Sequence, residues 1–399
     1  MQIHSLPSGT GKTTEHRGRV ETLDLLRLFA ALAVVAYHYS FRGAGADDMT
    51  WLSLPAITPV TKYGYVGVQL FFVISGFVIA FSAEGRTARQ FIVARASRIY
   101  PGFLVCMTLT FAATIAFGAP RYTASASQWL ANLAIVSPAL KQPFMDGVYW
   151  SIVYELIFYF WVLIFIATGL FSRRLSLIVA IWLVLSLVNE LMVDSTALRR
   201  VFITDDSGFF AAGLMLYALF SGRRGALNWL LLAAATAASV KQATLGADWV
   251  RGNFGIPLSD VAIVALSVGS VALVGVSLLA KRLPLPAGLI IALGGLTYPL
   301  YLIHQHLGFM IFNRLEGVAP APILAGFTLA GMLGLSFVIW RFAERPGQRL
   351  MKAILPRLLA WPAWLPAPRF PAVAATPPAV VPAAFAATFG PVPLQRASR

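Results

Sequence analysis

The first apolar run of the chain, residues 23–39, is the feature that most constrains the fold. It is long and apolar enough to cross a bilayer, yet it contains Asp24, Arg27 and His38. A charged side chain facing lipid costs at least about 2.5 kcal/mol, so such residues normally face a protein interior or a site. Arg27 and His38 are eleven residues apart, which on an α-helix separates them by about 20° around the axis and about 16 Å along it. The run therefore predicts a membrane helix with one polar stripe along most of its length.

Similar apolar runs recur along nearly the whole chain. Of its 399 residues, 58% are hydrophobic and 12% are charged, and the mean hydropathy is +0.74. These values are typical of a multi-pass membrane protein, here expected in the inner (plasma) membrane. The sequence predicts an all-α polytopic fold of about ten transmembrane helices, at residues 23–41, 66–83, 99–118, 148–171, 175–193, 208–221, 226–243, 258–280, 288–312 and 321–341. The apolar segment 128–140 is too short to span and is predicted to be re-entrant or interfacial.

The distribution of basic residues predicts the orientation. With the N-terminus in the cytoplasm, most of the 31 lysines and arginines fall in cytoplasmic segments, which is the positive-inside pattern. Both termini are then cytoplasmic. We expect an N-terminal tail at 1–22, a membrane domain at 23–347 and a disordered Ala/Pro-rich cytoplasmic tail at 348–399. This pattern accounts for much of the net charge of +15, so the predicted partner is the lipid bilayer and not a nucleic acid.

Two arginines before the third helix form a basic cluster. Arg95 and Arg98 are three residues apart and therefore occupy neighbouring positions on one helical face. The planar guanidinium group suits phosphate recognition. The alternative is that these arginines only anchor the helix at the membrane surface.

Further polar residues lie in the outer halves of the predicted helices. Ser151 and Glu155 share a face of the fourth helix, where a carboxylate needs either a partner or a role. In the ninth helix, Tyr301 and His304 follow Pro299, which is expected to break the helix beside a cavity. The alternatives are a structural ion pair for Glu155 and a hydrogen-bonded core histidine for His304.

The second helix contains the run Phe71–Phe77, in which Ser75-Gly76 is interpreted as a close helix–helix contact.

The predicted orientation places the basic cluster on the inner side and the histidines and Glu155 towards the outer side. A phosphorylated donor could therefore enter from the cytoplasm and react near the outer face. His38 is the candidate general base, because an imidazole titrates near neutral pH. Glu155 or Asp24 could orient His38 or one of the arginines.

Together these motifs resemble the acyltransferase type 3 family of membrane-bound O-acyltransferases. The matching features, in order along residues 20–347, are Arg27 and His38, Phe71-Phe-Val-Ile-Ser-Gly-Phe77, Arg95-x-x-Arg98 before Ile99-Tyr100-Pro101, Trp150-Ser151 with Glu155, Tyr298-Pro-Leu-Tyr301-Leu-Ile-His304, and Glu344-Arg345-Pro346. Six motifs in register make the resemblance specific, although each alone is weak.

The resemblance implies transfer of an acyl group, often acetyl, from cytoplasmic acyl-CoA to a hydroxyl of an envelope or secreted saccharide. It implies catalytic roles for Arg27 and His38 and binding of the CoA donor by Arg95 and Arg98. Glu155 is a third candidate catalytic residue. The remaining candidates are expected to contact substrate: Trp150, Ser151, Tyr301 and His304. Acyl-CoA, expected to be acetyl-CoA, is a co-substrate, and neither a tightly bound cofactor nor a metal is expected.

Two other classes of function remain open from the residues alone. A secondary transporter would use the intramembrane Arg, His and Glu as a proton relay, although the chain shows no internal repeat of the kind common in transporters. A non-catalytic scaffold for glycan assembly would not need Arg27 or His38. If the chain is the acyltransferase, its partners are a saccharide or glycolipid acceptor and glycan-assembly proteins.

Overall fold

The computed structural model describes residues 20–280 and 283–359, and these residues contain helices and connecting turns but no strand. The main helices are α1 Glu21–Tyr37, α2 Val66–Ala83, α3 Ala88–Phe117, α4 Trp150–Ala167, α5 Leu170–Val188, α6 Ser207–Phe220, α7 Ala226–Phe254, α8 Asp260–Ser277, α9 Ala287–Arg314, α10 Ala321–Ile339 and α11 Arg345–Leu358. Shorter helices are Gly43–Gly45, Thr58–Thr61, Ala126–Asn132 and Thr196–Phe202, with 3₁₀ turns at Ser137–Leu140 and Gly147–Tyr149. Single π-helical turns occupy His38–Arg42, Asn189–Val193 and Trp340–Glu344.

The predicted all-helical, multi-pass fold is confirmed. Within the described ranges, nine helical stretches are long and apolar enough to cross a membrane. The sixth predicted span is a helix, α6, but its 14 residues cover only about 21 Å, less than the hydrocarbon core of about 30 Å. The orientation of the bundle stays a prediction.

Helix α6 is an internal element of the bundle. All of its residues except Phe220 are buried. A methyl group added at Gly76 of α2 would lie 2.2 Å from the backbone oxygen of Phe210, and one at Gly213 would lie 2.2 Å from the oxygen of Val73. These two glycines therefore let α2 and α6 pack backbone to backbone, as the Ser75-Gly76 motif predicts.

The structure corrects one sequence expectation about irregular segments and leaves the other a prediction. Helix α9 runs continuously through Pro299, so the expected break does not occur. The segment predicted to be re-entrant or interfacial runs back beside α3. There the Trp129 indole donates to Thr108 at 3.2 Å, and the Tyr100 hydroxyl donates to the Leu133 carbonyl at 2.9 Å.

The predicted tails lie largely outside the described residues. At the N-terminal side, α1 begins at Glu21, close to the predicted start of the membrane domain. At the C-terminal side, α11 continues past the predicted boundary at 347 and ends at Leu358. The predicted disorder of the remaining tail therefore concerns residues beyond the part that the structure covers.

Contacts between turns define two ends of the bundle. At one end, which we call the arginine end, Glu84 accepts from the Tyr217 hydroxyl and lies 3.5 Å from Arg223. At the opposite end, the Lys62 ammonium donates to the Pro257 carbonyl at 2.6 Å. Helix α3 begins at the arginine end with a capping box, because Thr87 and Gln90 each bond the other's backbone N–H.

A buried aspartate fixes the start of α4 against α9. The Asp146 carboxylate accepts from the backbone N–H of Val148 at 3.2 Å and from that of His306 at 3.0 Å. This double contact caps the turn before α4. It also brings Ser151 beside Tyr301, which forms one boundary of the cavity described below.

Candidate active site

Two histidines from distant parts of the chain meet inside the bundle. His38 begins the π-helical turn that follows α1, and His304 lies in α9. The Nδ1 atom of His38 lies 3.1 Å from Nε2 of His304, and the ring centroids are 4.9 Å apart. His304 is fully buried, whereas His38 keeps some exposed surface. Isolated π-turns are frequent at functional sites, but no sequence signal predicts this one.

Arg27 lies deeper in α1 and borders a cavity. Its guanidinium is 3.2 Å from the Asp24 carboxylate, one turn earlier on the same helix. Asp24 in turn packs against Gly294 of α9, where an added methyl would lie 2.9 Å from the aspartate Cβ. The ion pair with Asp24 therefore holds the Arg27 guanidinium at the cavity wall.

The cavity has a volume of about 430 Å³ and runs inward from the arginine end. Its cationic lining residues are Arg27, Arg86, Arg95, Arg98 and Lys352, and Glu155 is the acidic lining residue among the residues that the structure describes. Arg86 lies in the turn before α3, and burial together with the charge of Arg95 lowers the pKa of its guanidinium. Such a surplus of positive charge suits a polyanionic ligand.

The two arginines of the predicted phosphate motif have different surroundings. Arg98 forms an ion pair with Glu344, whose side chain is fully buried, and lies over the Tyr298 ring. Arg95 lies over the rings of Phe91 and Tyr159, and among the described residues its buried Nε atom has no hydrogen-bond partner. Arg95 therefore offers a donor group that the fold itself does not use.

Two hydroxyl groups donate hydrogen bonds to the Glu155 carboxylate. It accepts from the Ser75 hydroxyl of α2 at 2.8 Å and from the Tyr159 hydroxyl one turn along α4. Both donors also line the cavity. Sequence analysis missed Ser75 and Tyr159 as site residues, because nothing along the chain shows that α2 faces α4.

The deep part of the cavity contains a pair of hydroxyl groups. The Ser151 and Tyr301 oxygens are 2.6 Å apart, and the Tyr301 ring is 5.8 Å from that of Phe71. His304 is one helical turn beyond Tyr301, with ring centroids 5.8 Å apart. The histidine pair thus lies just behind the cavity lining and does not itself form part of that lining.

Trp150, like the two histidines, is a predicted site residue that does not line the cavity. Its side chain is 40% exposed and contacts Phe72 and Tyr154 edge-on. The cavity lining also includes Arg86, Gln348 and Lys352, which the motifs do not contain. Among the residues that the structure describes, no group of three or more His, Cys, Asp or Glu side chains could hold a metal ion.

Comparisons with known proteins identify the family. A family model described as an acyltransferase domain matches residues 20–341. The chain is 34% identical to Acyltransferase MdmB of Streptomyces mycarofaciens over 150 residues, which are 35% of this chain and 38% of that protein. It is 25% identical to Exopolysaccharide production protein ExoZ of Rhizobium meliloti (strain 1021) over 302 residues, 71% of this chain and 89% of that protein.

The similarity to the first relative therefore spans less than half of that protein, whereas the similarity to the second spans most of it. No solved structure is a significant match to the chain. Because the family model covers most of this sequence and the fold is a bundle of apolar helices, the chain is a multi-pass membrane protein that belongs to the acyltransferase type 3 family.

Proposed function

We propose that the chain is an integral membrane O-acyltransferase that moves an acyl group from cytoplasmic acyl-CoA to a hydroxyl of an extracytoplasmic or lipid-linked saccharide. The observation that carries this proposal is the cation-lined cavity, which runs from the arginine end to the Ser151–Tyr301 hydroxyls beside the histidine pair. Family membership supports acyl transfer, and the geometry supports the choice of donor.

The mouth of the cavity suits the nucleotide part of CoA. This nucleotide carries a diphosphate and a 3′-phosphate, and guanidinium groups bind phosphate oxygens through charge-assisted hydrogen bonds. Arg95 has an unused donor, and Arg86 and Lys352 lie near the mouth. The narrow pantetheine arm would then extend inward and present the thioester near Tyr301.

His38 would act as the general base at the inner end. Its imidazole removes the proton of the acceptor hydroxyl, and the oxygen attacks the thioester carbonyl carbon. A C–O bond forms, the C–S bond breaks, and the proton on His38 passes to the departing CoA thiolate. The products are an ester and free CoA. The Ser151 and Tyr301 hydroxyls, which lie 3.1 and 3.3 Å from the Val148 carbonyl oxygen that accepts from them, would turn to donate to the negative oxygen that develops on the thioester carbonyl.

The acceptor class and the membrane location are proposed from sequence similarity and from the distribution of charge. A saccharide acceptor is supported by the similarity to a protein named for exopolysaccharide production. The positive-inside pattern supports an inner (plasma) membrane location with the arginine end in the cytoplasm. The acyl group is expected to be acetyl, and glycan-assembly proteins are the expected partners.

The test follows label from acetyl-CoA in membranes that contain the chain. Wild type should transfer acetyl label to alkali-labile esters of a saccharide fraction, and His38→Ala should abolish the transfer. His306→Gln is the matched control, because His306 is also in α9 but its ring contacts the Met145 carbonyl and the Tyr122 ring. Absence of label from wild type across several acyl-CoA chain lengths would contradict the proposal and favour a transporter.

A further inference from the structure

The hydrogen bonds of His304 determine which of its nitrogens carries the proton. Its Nδ1 lies 2.8 Å from the carbonyl oxygen of Tyr301 and 3.2 Å from that of Leu300. Carbonyl oxygens only accept hydrogen bonds, so Nδ1 must be the donor. A neutral His304 therefore has its lone pair on Nε2, and this atom faces His38.

The same reasoning then fixes the proton of His38. Its Nδ1 lies 2.9 Å from the Val34 carbonyl oxygen and 3.1 Å from the Nε2 lone pair of His304. Both neighbours are acceptors, so Nδ1 of His38 carries the hydrogen and shares it between them. The other tautomer would place a lone pair against two acceptors. The free lone pair of His38 is therefore on Nε2.

We infer that His304 is a positioning residue, which fixes the reactive tautomer of His38 and stabilises the imidazolium that forms there. This inference rests on the proposed function, in which Nε2 of His38 takes the acceptor proton. Once both nitrogens of His38 carry hydrogen, the bond from Nδ1 to His304 becomes charge-assisted and strengthens. A group that binds the charged form of a base more tightly than the neutral form accelerates the reaction that creates the charge.

The surroundings of His304 fit positioning better than contact with substrate. Its side chain is fully buried and does not line the cavity. The Tyr39 hydroxyl, which comes from the same π-turn as His38, donates to the His304 backbone carbonyl at 2.9 Å. A methyl at Gly308 would lie 2.4 Å from that hydroxyl oxygen. The glycine therefore leaves space on the surface of α9 for the Tyr39 side chain. The two histidines are thus locked together by side-chain and backbone bonds.

A pair of substitutions at His304 separates positioning from packing. His304→Gln keeps an acceptor, its amide oxygen, within reach of His38, whereas His304→Phe keeps a ring but no acceptor. We expect His304→Phe to lower kcat about 10- to 100-fold, the value of one hydrogen bond to a charged group, with the KM for acyl-CoA unchanged. His304→Gln should recover a large part of kcat. Equal kcat losses in folded His304→Gln and His304→Phe protein would overturn the inference.

A spectroscopic measurement tests the tautomer without relying on activity. ¹⁵N NMR of full-length protein labelled at histidine should show the His38 proton on Nδ1, with His38→Gln identifying the His38 signals. His306→Gln is the control and should leave those signals in place. A His38 proton on Nε2 in wild type would overturn the inference. Absence of acyl transfer together with the Nδ1 tautomer would instead contradict the proposed function.

Discussion

Arg95 and Arg98 are neighbours in sequence, but their contacts assign them different tasks. Arg98 neutralises Glu344, a fully buried carboxylate to which the Gln348 amide also donates at 2.8 Å. Arg95 instead lines the cavity, and its Nε donor has no hydrogen-bond partner in the part of the chain that the structure describes. The motif predicts a phosphate site for both residues, whereas the structure gives one of them a structural partner as well.

The different surroundings of the two arginines lead to a paired prediction. Arg95→Ala should raise the KM for acyl-CoA about tenfold or more, because a hydrogen bond to a charged group is lost, while the melting temperature stays near wild type. Arg98→Ala should destabilise the protein by about 1–3 kcal/mol, because Glu344 is left buried without its partner. Initial-rate kinetics and thermal unfolding in detergent measure the two effects.

The Arg98 effect has its own control. Adding Glu344→Gln to Arg98→Ala removes the buried charge and should restore most of the lost stability. An Arg98→Ala protein that melts like wild type would show that the ion pair does not stabilise the fold. A wild-type KM in Arg95→Ala would show that Arg95 does not contact the donor.

The hydroxyl of Tyr301 is predicted to assist the reaction itself. It lies 2.6 Å from the Ser151 oxygen at the deep part of the cavity. Tyr301→Phe should lower kcat about 100-fold, as loss of one oxyanion donor does, with little change in the KM for acyl-CoA. The control is Tyr298→Phe on the same helix, since the Tyr298 hydroxyl donates to the Ile99 carbonyl at 3.1 Å. Equal kcat values for the two variants would rule out this role.

At the residue scale, the sequence identifies candidates but not their contacts. Three ionisable residues stand out in the sequence because they interrupt apolar runs: Arg27, His38 and Glu155. An ionisable side chain in a membrane helix is costly and normally has a partner or a function. The contact of His38 with His304 joins residues 266 positions apart, and that of Ser75 with Glu155 joins residues 80 apart. Such pairs depend on which helices are neighbours, and helical periodicity carries no information on that.

At the element scale, the contact between α2 and α6 tests whether the short helix is essential to the bundle. Gly76→Ala would place a methyl 2.2 Å from the Phe210 backbone oxygen, which has no flexible end that could move aside. We expect a loss of about 1–3 kcal/mol from overpacking, seen as a lower melting temperature. The methyl of Gly269→Ala in α8 has no described atom within 4 Å, and this variant should melt like wild type. Equal melting temperatures would argue against tight packing here.

Helix boundaries and irregular turns show where prediction from sequence ends. Apolar length predicts the spanning helices well, because each must satisfy its own backbone hydrogen bonds in lipid. The shortness of α6 is compatible with its complete burial among other helices, which hydropathy does not reveal. The π-turn at His38 adds one residue to a helical turn without any marker such as Gly or Pro. Pro299, which is such a marker, lies within the continuous helix α9.

At the scale of the whole molecule, the proposed reaction depends on having two distinct sides. The cavity runs from the arginine end, and the His38 turn lies towards the opposite end, after α1 has passed the cavity. A donor held at one end and an acceptor reaching His38 from the other would meet near Tyr301. This arrangement would let acyl transfer couple a cytoplasmic supply of acyl-CoA to an external saccharide, provided that the arginine end faces the cytoplasm.

Cysteine accessibility tests that orientation directly. Ser172, exposed near the start of α5, is at the arginine end, since Ser176 in the same helix bonds Asn228, which bonds the Arg223 carbonyl. Ser53 is exposed in the connection between α1 and α2 at the opposite end. In intact cells, a membrane-impermeant thiol reagent should label Ser53→Cys but label Ser172→Cys only after permeabilisation. Wild type is the background control, because its single cysteine, Cys106, is fully buried. The reverse labelling pattern would show that the cavity opens to the outside of the cell. Cytoplasmic acyl-CoA could not reach it there, and the proposed direction of transfer would be wrong.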